Sequence, residues 1–181
     1  MGKVFEAIDE KIRAWVEKQK MYFVATAPLN ADGFVNCSPK GMNTFRILGP
    51  TTVAYLDLTG SGVETIAHLK ENGRMVIMFC AFEGAPKIMR FHGHGTVYEL
   101  DSPEYNDLIQ HFDEIPGARS IIVNELTRIS DSCGFGVPFF DYKGERETLE
   151  KYSAKEGPEG MTKYRDNNNR KSLDGLVGFE S

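Results

Sequence analysis

Residues 51–82 read TTVAYLDLTGSGVETIAHLKENGRMVIMFCAF. Thr51 to Leu58 is dense in β-formers and reads as a strand. Thr59-Gly-Ser-Gly62 turns the chain. Val63 to Asn72 places Ile66, Ala67 and Leu69 at helical spacing, and Asn72-Gly73 supplies the stop. Arg74 to Phe82 is apolar on both faces, which predicts a central strand. Downstream, Lys87 to Leu100 alternates cleanly. Met89, Phe91, Gly93, Gly95 and Val97 fall on one face, and Arg90, His92, His94 and Thr96 on the other. That is a strand with one packed and one polar side. Upstream, Met21 to Ala27 and Phe34 to Lys40 flank the turn signal Asn30-Ala-Asp-Gly33 and read as a hairpin. Thr44 to Leu48 is a shorter strand that ends at Gly49-Pro50.

Helices flank these strands. Val4, Phe5, Ile8, Ile12, Trp15 and Val16 lie on one helical face, which predicts an amphipathic helix at the N-terminus. Ser102 caps a second over Pro103 to Phe112, and Ala118 to Ser130 holds the β-branched run Ile121-Ile122-Val123. From Tyr142 the composition changes. Glu145 to Lys155 and Pro158 to Asp166 read as two charged helices, and Asn167 to Lys171 as loop. Consecutive strands joined by short turns predict a mainly β fold, an antiparallel sheet or barrel with flanking helices. The expected organisation is a barrel over 1–141 and a helical extension over 142–181, packed on the same domain.

The chain has 181 residues with 41% hydrophobic and 26% charged, an ordinary globular composition. Lys and Arg total 21 against 26 Asp and Glu, a net charge of −5. That balance opposes non-specific nucleic-acid binding, which needs a basic surface. Cys37, Cys80 and Cys133 are an odd count at wide spacing, so neither a disulfide framework nor a zinc site is indicated. A reducing, cytoplasmic compartment is expected. There is no apolar run of the roughly 18 residues that a membrane span needs.

Four segments carry candidate chemistry. Leu58-Thr-Gly-Ser-Gly62 leads into a helix, whose N-terminus has free N–H groups and a positive dipole end. Two glycines let a backbone approach an anion, and Thr59 and Ser61 add hydroxyls, so the turn suits a phosphate. The bland alternative is a capped strand-to-helix turn. In Asn36-Cys-Ser-Pro-Lys-Gly41, alternate residues Asn36, Ser38 and Lys40 share a strand face, and Pro39 points to an edge. His92 and His94 share a face but lack a third metal ligand nearby, so no metal site is assigned, and Arg90 beside them is a hydrogen-bond donor. Cys133, within Ser132-Cys-Gly-Phe-Gly-Val-Pro138, has no adjacent His to activate it.

The order of these pieces is similar to the pyridoxamine 5'-phosphate oxidase-like group of FMN-binding split-barrel proteins. The pieces are Asn36 to Gly41, Val53 to Gly62, a short helix, Asn72 to Phe79, and Arg90 on a long strand. The resemblance spans roughly the N-terminal two-thirds. It implies a six-stranded antiparallel split barrel with flanking helices. It also implies a homodimer with FMN at the interface and an oxidoreductase acting on an unidentified small molecule. By position, Lys40 matches a basic residue reaching flavin or substrate. Tyr55 and Leu56 match the strand end along the isoalloxazine, with Asp57 next in that strand. Thr59, Gly60, Ser61 and Gly62 match the phosphate turn, and Arg90 a polar group at the flavin edge. This chain has Val35 where the true oxidase has Arg, and Ser61-Gly62 where it has Arg-Lys. A phosphate would then rely on backbone N–H groups and hydroxyls, with Lys40 or Arg46 as added cations. That departure keeps two alternatives open: a deazaflavin-dependent reductase, and a non-enzymatic flavin- or haem-binding protein of the same fold.

Overall fold

The structure is a computed structural model that describes residues 2–180. Eight strands make one antiparallel sheet: β1 (Val4–Phe5), β2 (Tyr22–Thr26), β3 (Asn36–Lys40), β4 (Phe45–Ile47), β5 (Thr52–Leu58), β6 (Arg74–Cys80), β7 (Ile88–Glu99) and β8 (Ala118–Ser132). The order is β3-β2-β6-β7-β8-β5-β4, with β1 paired to β8. Six strands were expected. Six have five residues or more, and the two others are β1 with 2 residues and β4 with 3. The helices are α1 (Glu10–Val16), α2 (Glu64–Asn72), α3 (Pro103–Leu108, continued by a 3-10 turn at Ile109–His111) and α4 (Thr148–Asn168).

The N-terminus departs from expectation. Val4 and Phe5 do not begin the first helix; they pair with Ser130 and Ile129 as β1. The helix starts where it can be capped, since the Asp9 carboxylate accepts the Ile12 N–H at 2.8 Å. At the C-terminus the two expected helices adjoin at a break. Gly157 takes φ 69° and ψ 178°, and Pro158 follows it. The helix runs on through Asn168, so Asn167 and Asn168 are helical and not loop, and Asn169 is fully buried.

The core follows the alternation of β5 and β8. Val53, Tyr55 and Ile122 face the barrel interior with Val24, Ile77, Phe79, Phe91 and the α1 residues Ile12 and Val16. Ala54, Leu56, Ile121 and Val123 face the other way, under Tyr105 of α3. On β7, a Cβ at Gly95 would meet Met75 and Leu69, so glycine there lets α2 sit against the sheet. β3 and β4 stand at opposite ends of the hydrogen-bonded order, so backbone pairing does not close the barrel. That open seam positions the candidate site. No helix among the described residues is long and apolar enough to cross a membrane.

Candidate functional site

Side chains bridge the seam. Lys40, the last residue of β3, places Nζ 2.7 Å from Oδ1 of Asp57 on β5. Arg119, at the start of β8, donates Nε to Asp57 Oδ2, also at 2.7 Å. Asp57 and Arg119 are buried, and the Lys40 side chain is 20% exposed. Burial by itself would raise the Asp57 carboxyl, but the ammonium of Lys40 and the guanidinium of Arg119 overcome it and hold the group below the ordinary carboxylate value. Lys40 Nζ also lies 5.6 Å from the ring centre of Tyr55. Burial lifts the Tyr55 phenol far above its ordinary value, and the charge of Asp57 adds to this, so the phenol stays protonated.

The glycine turn is held from below. Arg119 Nη1 donates to the Gly62 carbonyl at 3.0 Å and to Asn169 Oδ1 at 2.9 Å. Asn169 Nδ2 donates to the Gly60 carbonyl at 2.9 Å. The Thr59 N–H donates to the Gly117 carbonyl at 2.8 Å, and its hydroxyl lies 3.4 Å from Arg165 Nη1. Asn169 opens a terminal turn in which Gly178 N–H reaches Arg170 O and Phe179 N–H reaches Asn169 O, each at 2.9 Å. Phe179 packs 5.7 Å from the Arg119 guanidinium. The carbonyls of the turn thus face inward on a buried cation and amide.

Above the turn is a cavity of about 160 Å³. Asn36, Ser38, Lys40, Thr65 and Arg119 line it with donors, and Gly60 and Gly62 form one wall. Asn36 Nδ2 donates to Thr65 Oγ1 at 2.9 Å, and the Ser38 hydroxyl donates to Asn36 Oδ1 at 3.2 Å. These donors suit an anionic group such as a phosphate. A Cβ at Gly60 would meet nothing within 4 Å, so the backbone there is open to a close neighbour. The lining has two cations, Lys40 and Arg119, against one acid, Glu64. Glu64 opens α2; one carboxylate oxygen accepts the Leu173 N–H at 3.3 Å, and the other would clash with a Cβ at Gly62. Its charge is the one feature of the lining that opposes an anion.

The structure brings together Lys40, Asp57, Gly60 and Gly62, with Asn36 and Ser38 on the shared β3 face as their alternation implies. Thr59 is buried beneath the turn, and Ser61 is exposed with its carbonyl 3.5 Å from Asn169 Nδ2. Four placements differ from expectation. The Leu56 side chain points away from the seam, into the cluster under α3, because it alternates with Tyr55 and Asp57. Tyr55 is on the seam side but fully buried. Arg90 is on the outer face of the sheet: it is in register with Met78, Phe23 and Pro39, whereas Lys40 is in register with inward-facing Tyr22. Its Nη1 donates to Ser132 Oγ at 2.9 Å. Arg46 serves no phosphate turn; it donates to the carbonyls of His111, Asn43 and Phe45. Sequence reading missed Arg119, Asn169, Thr65 and Arg165. Arg119 leaves one signal, a cation two residues ahead of the apolar run Ile121-Ile122-Val123. Asn169 leaves none, being one of three adjacent asparagines.

Comparison with known proteins fits this geometry. Residues 8–133 match the profile of the family described as pyridoxamine 5'-phosphate oxidase. The pyridoxamine 5'-phosphate oxidase family protein ustO of Aspergillus flavus is 37% identical, over 98% of this chain and 78% of its own length. Among solved structures, the H111A variant of HupZ from Group A Streptococcus superposes with a TM-score of 0.55 at 22% identity, covering 69% of this chain and 99% of its own. A Lactobacillus delbrueckii protein classed with the pyridoxamine 5'-phosphate oxidases gives 0.53 at 17% identity, covering 70% and 98%. These two likenesses show the split-barrel fold. Profile and relative together establish that the chain belongs to the pyridoxamine 5'-phosphate oxidase family.

Proposed function

We propose that the protein is an FMN-binding flavoprotein, an oxidoreductase whose cofactor phosphate sits on the glycine turn at the barrel seam. One observation carries this reading: Lys40, Arg119, Asn36, Ser38 and Thr65 converge on an open glycine backbone, in a chain of this family. A bound flavin supplies the electron and hydride chemistry, and the protein supplies placement and charge. Asn36, Ser38 and Thr65 would donate to or accept from the phosphate and sugar. Lys40, tethered to Asp57, keeps protons for a ligand, because an ammonium has three and Asp57 takes one. Tyr55, locked as a neutral phenol under Lys40, stiffens the floor.

A second copy of the chain completes the site in this reading. The outer face of β2, β6 and β7 presents half-buried Phe23, Ala25, Val76 and Met78 beside Arg90 and His92, an apolar patch with a polar rim. Arg90 reaches a flavin only from such a partner surface. The test is direct. Protein purified under native conditions should absorb near ~450 nm or take up FMN on titration, and light scattering should give twice the chain mass. A colourless protein that neither binds FMN nor dimerises ends the proposal. Glu64 beside the turn favours one other cofactor assignment, a deazaflavin held mainly away from the phosphate. Competition between the two cofactors separates them, and a clear preference for FMN removes it.

A further inference from the structure

The uncharged polar side chains that line the glycine-turn cavity, Asn36, Ser38 and Thr65, are not equivalent donors. Ser38 gives its hydroxyl proton to Asn36 Oδ1 at 3.2 Å, so toward a ligand it can only accept. Asn36 spends its amide protons on Thr65 Oγ1 at 2.9 Å and on Thr26 Oγ1 at 3.5 Å, the second at the outer limit of a hydrogen bond. Thr65 accepts from Asn36 and keeps its own proton. Of these side chains, Thr65 is the one left to donate to an anion.

This polarity holds while the Asn36 amide faces the two threonines with nitrogen. With oxygen facing them, it would take their protons and donate to Ser38, and the donors would exchange places. The direction is set from behind the cavity. Thr26 is in register with Asn36 across the β2–β3 ladder, and its hydroxyl lies 2.9 Å from Nδ1 of His68 on α2. His68 is fully buried. Its Nε2 has no hydrogen-bond partner among the described residues and lies 3.8 Å from Asp174 Oδ2. Asp174 is fixed in turn, because its two oxygens accept the Phe34 N–H at 3.1 and 3.2 Å. The carboxylate favours the ring form that carries its proton on Nε2. Nδ1 is then an acceptor, Thr26 donates to it, and Thr26 Oγ1 is left to accept from Asn36.

We infer that His68, oriented by Asp174, is a positioning residue: through Thr26 and Asn36 it presents the Thr65 hydroxyl proton to the anionic group held over the glycine turn. The inference rests on the cofactor reading, in which that group is the FMN phosphate.

Nitrogen-15 NMR of the full-length protein reads the His68 tautomer, and His68→Gln identifies its signals among the 4 histidines. A proton on Nε2 is expected. Asp174→Asn keeps an oxygen for the Phe34 N–H and turns its amide nitrogen toward His68, which should move the ring proton to Nδ1. The same variant should weaken FMN binding by about tenfold, and so should Thr65→Val. Both remove the same hydrogen bond, so the double variant should be no weaker than either single one, whereas independent effects would multiply to about a hundredfold. Circular dichroism checks that the variants fold. A proton on Nδ1 in the unaltered protein, FMN affinity indifferent to either variant, or losses that multiply would each overturn the inference while leaving FMN binding itself intact. An unaltered protein that takes up no FMN would end the cofactor reading, and the role of Thr65 with it.

Discussion

Asp57 is where one side chain governs the most structure. It neutralises two cations from two strands that share no backbone bond with each other. Asp57→Asn keeps the shape and removes the charge, leaving Lys40 and Arg119 uncompensated. A loss of about 3–5 kcal/mol in urea denaturation is expected. The sign with pH follows from the lowered carboxyl value. Its stabilisation is fully present above the unfolded carboxylate value and is lost as pH falls through the lower folded value. Stability measured from pH 7 downward should therefore hold and then drop below about pH 4, and Asp57→Asn should lack that component of the drop. At the turn, Glu64→Gln should tighten FMN by roughly threefold to tenfold, and Ser61→Asp should weaken it comparably. Unchanged affinity in both would place the phosphate elsewhere. Lys40 and the glycines are legible in sequence because their types and order are distinctive. Arg119 and Asn169 are not, because they act through burial and long-range bonds that local pattern does not encode.

At the scale of elements, periodicity carries most of the information. β7 packs Met89, Phe91 and Gly95 as its alternation predicts, with one irregularity between His92 and Gly93. Alternation also misplaces residues when a family match is read without it. Tyr55, Leu56 and Asp57 are consecutive on a strand, so all three side chains cannot line one cavity. Val4 and Phe5 fit a helical face as well as a strand, and the structure makes them a strand. Only the partner strand β8, far along the chain, decides between them. Gly95→Val tests the contact between α2 and β7. The added methyls would press on Leu69 and Met75, and a cost of about 1–3 kcal/mol is expected from thermal or chemical unfolding. A neutral outcome would mean that α2 can lift away without loss.

At the scale of the molecule, long-range hydrogen bonds tie the barrel to the residues that follow α4. Arg119 of the barrel and Asn169 after α4 share a buried hydrogen bond, and Lys70 Nζ of α2 donates to Gly178 O at 2.6 Å. A chain ending at Asn168 leaves the Gly60 and Ser61 carbonyls and Arg119 short of a partner. It should unfold in one transition, with stability lower by at least about 2 kcal/mol. Two separated transitions, with the barrel unaffected, would show the extension to be an independent domain. The mainly β class was readable because turns and alternation are local; packing of the extension on the barrel was expected, but the pairs that join them, such as Asn169 and Gly60, leave no local signal.

The same long-range pairing bears on how fast the protein reaches this state. The Lys3 N–H and its Asp131 acceptor are 128 residues apart in sequence, and Asn169 and Gly60 are 109 apart. Joining such distant partners requires early loss of loop entropy, and folds dominated by them acquire their structure slowly. During synthesis the first strand emerges long before its partner β8. Asn169 follows every strand of the barrel in the chain, so its clasp can close only after all of them have been made. Asn169→Ala should therefore leave the refolding arm of a chevron plot nearly unchanged and speed the unfolding arm. The clasp would then act as a late lock on a slowly built barrel, governing how long the native state persists more than how quickly it forms.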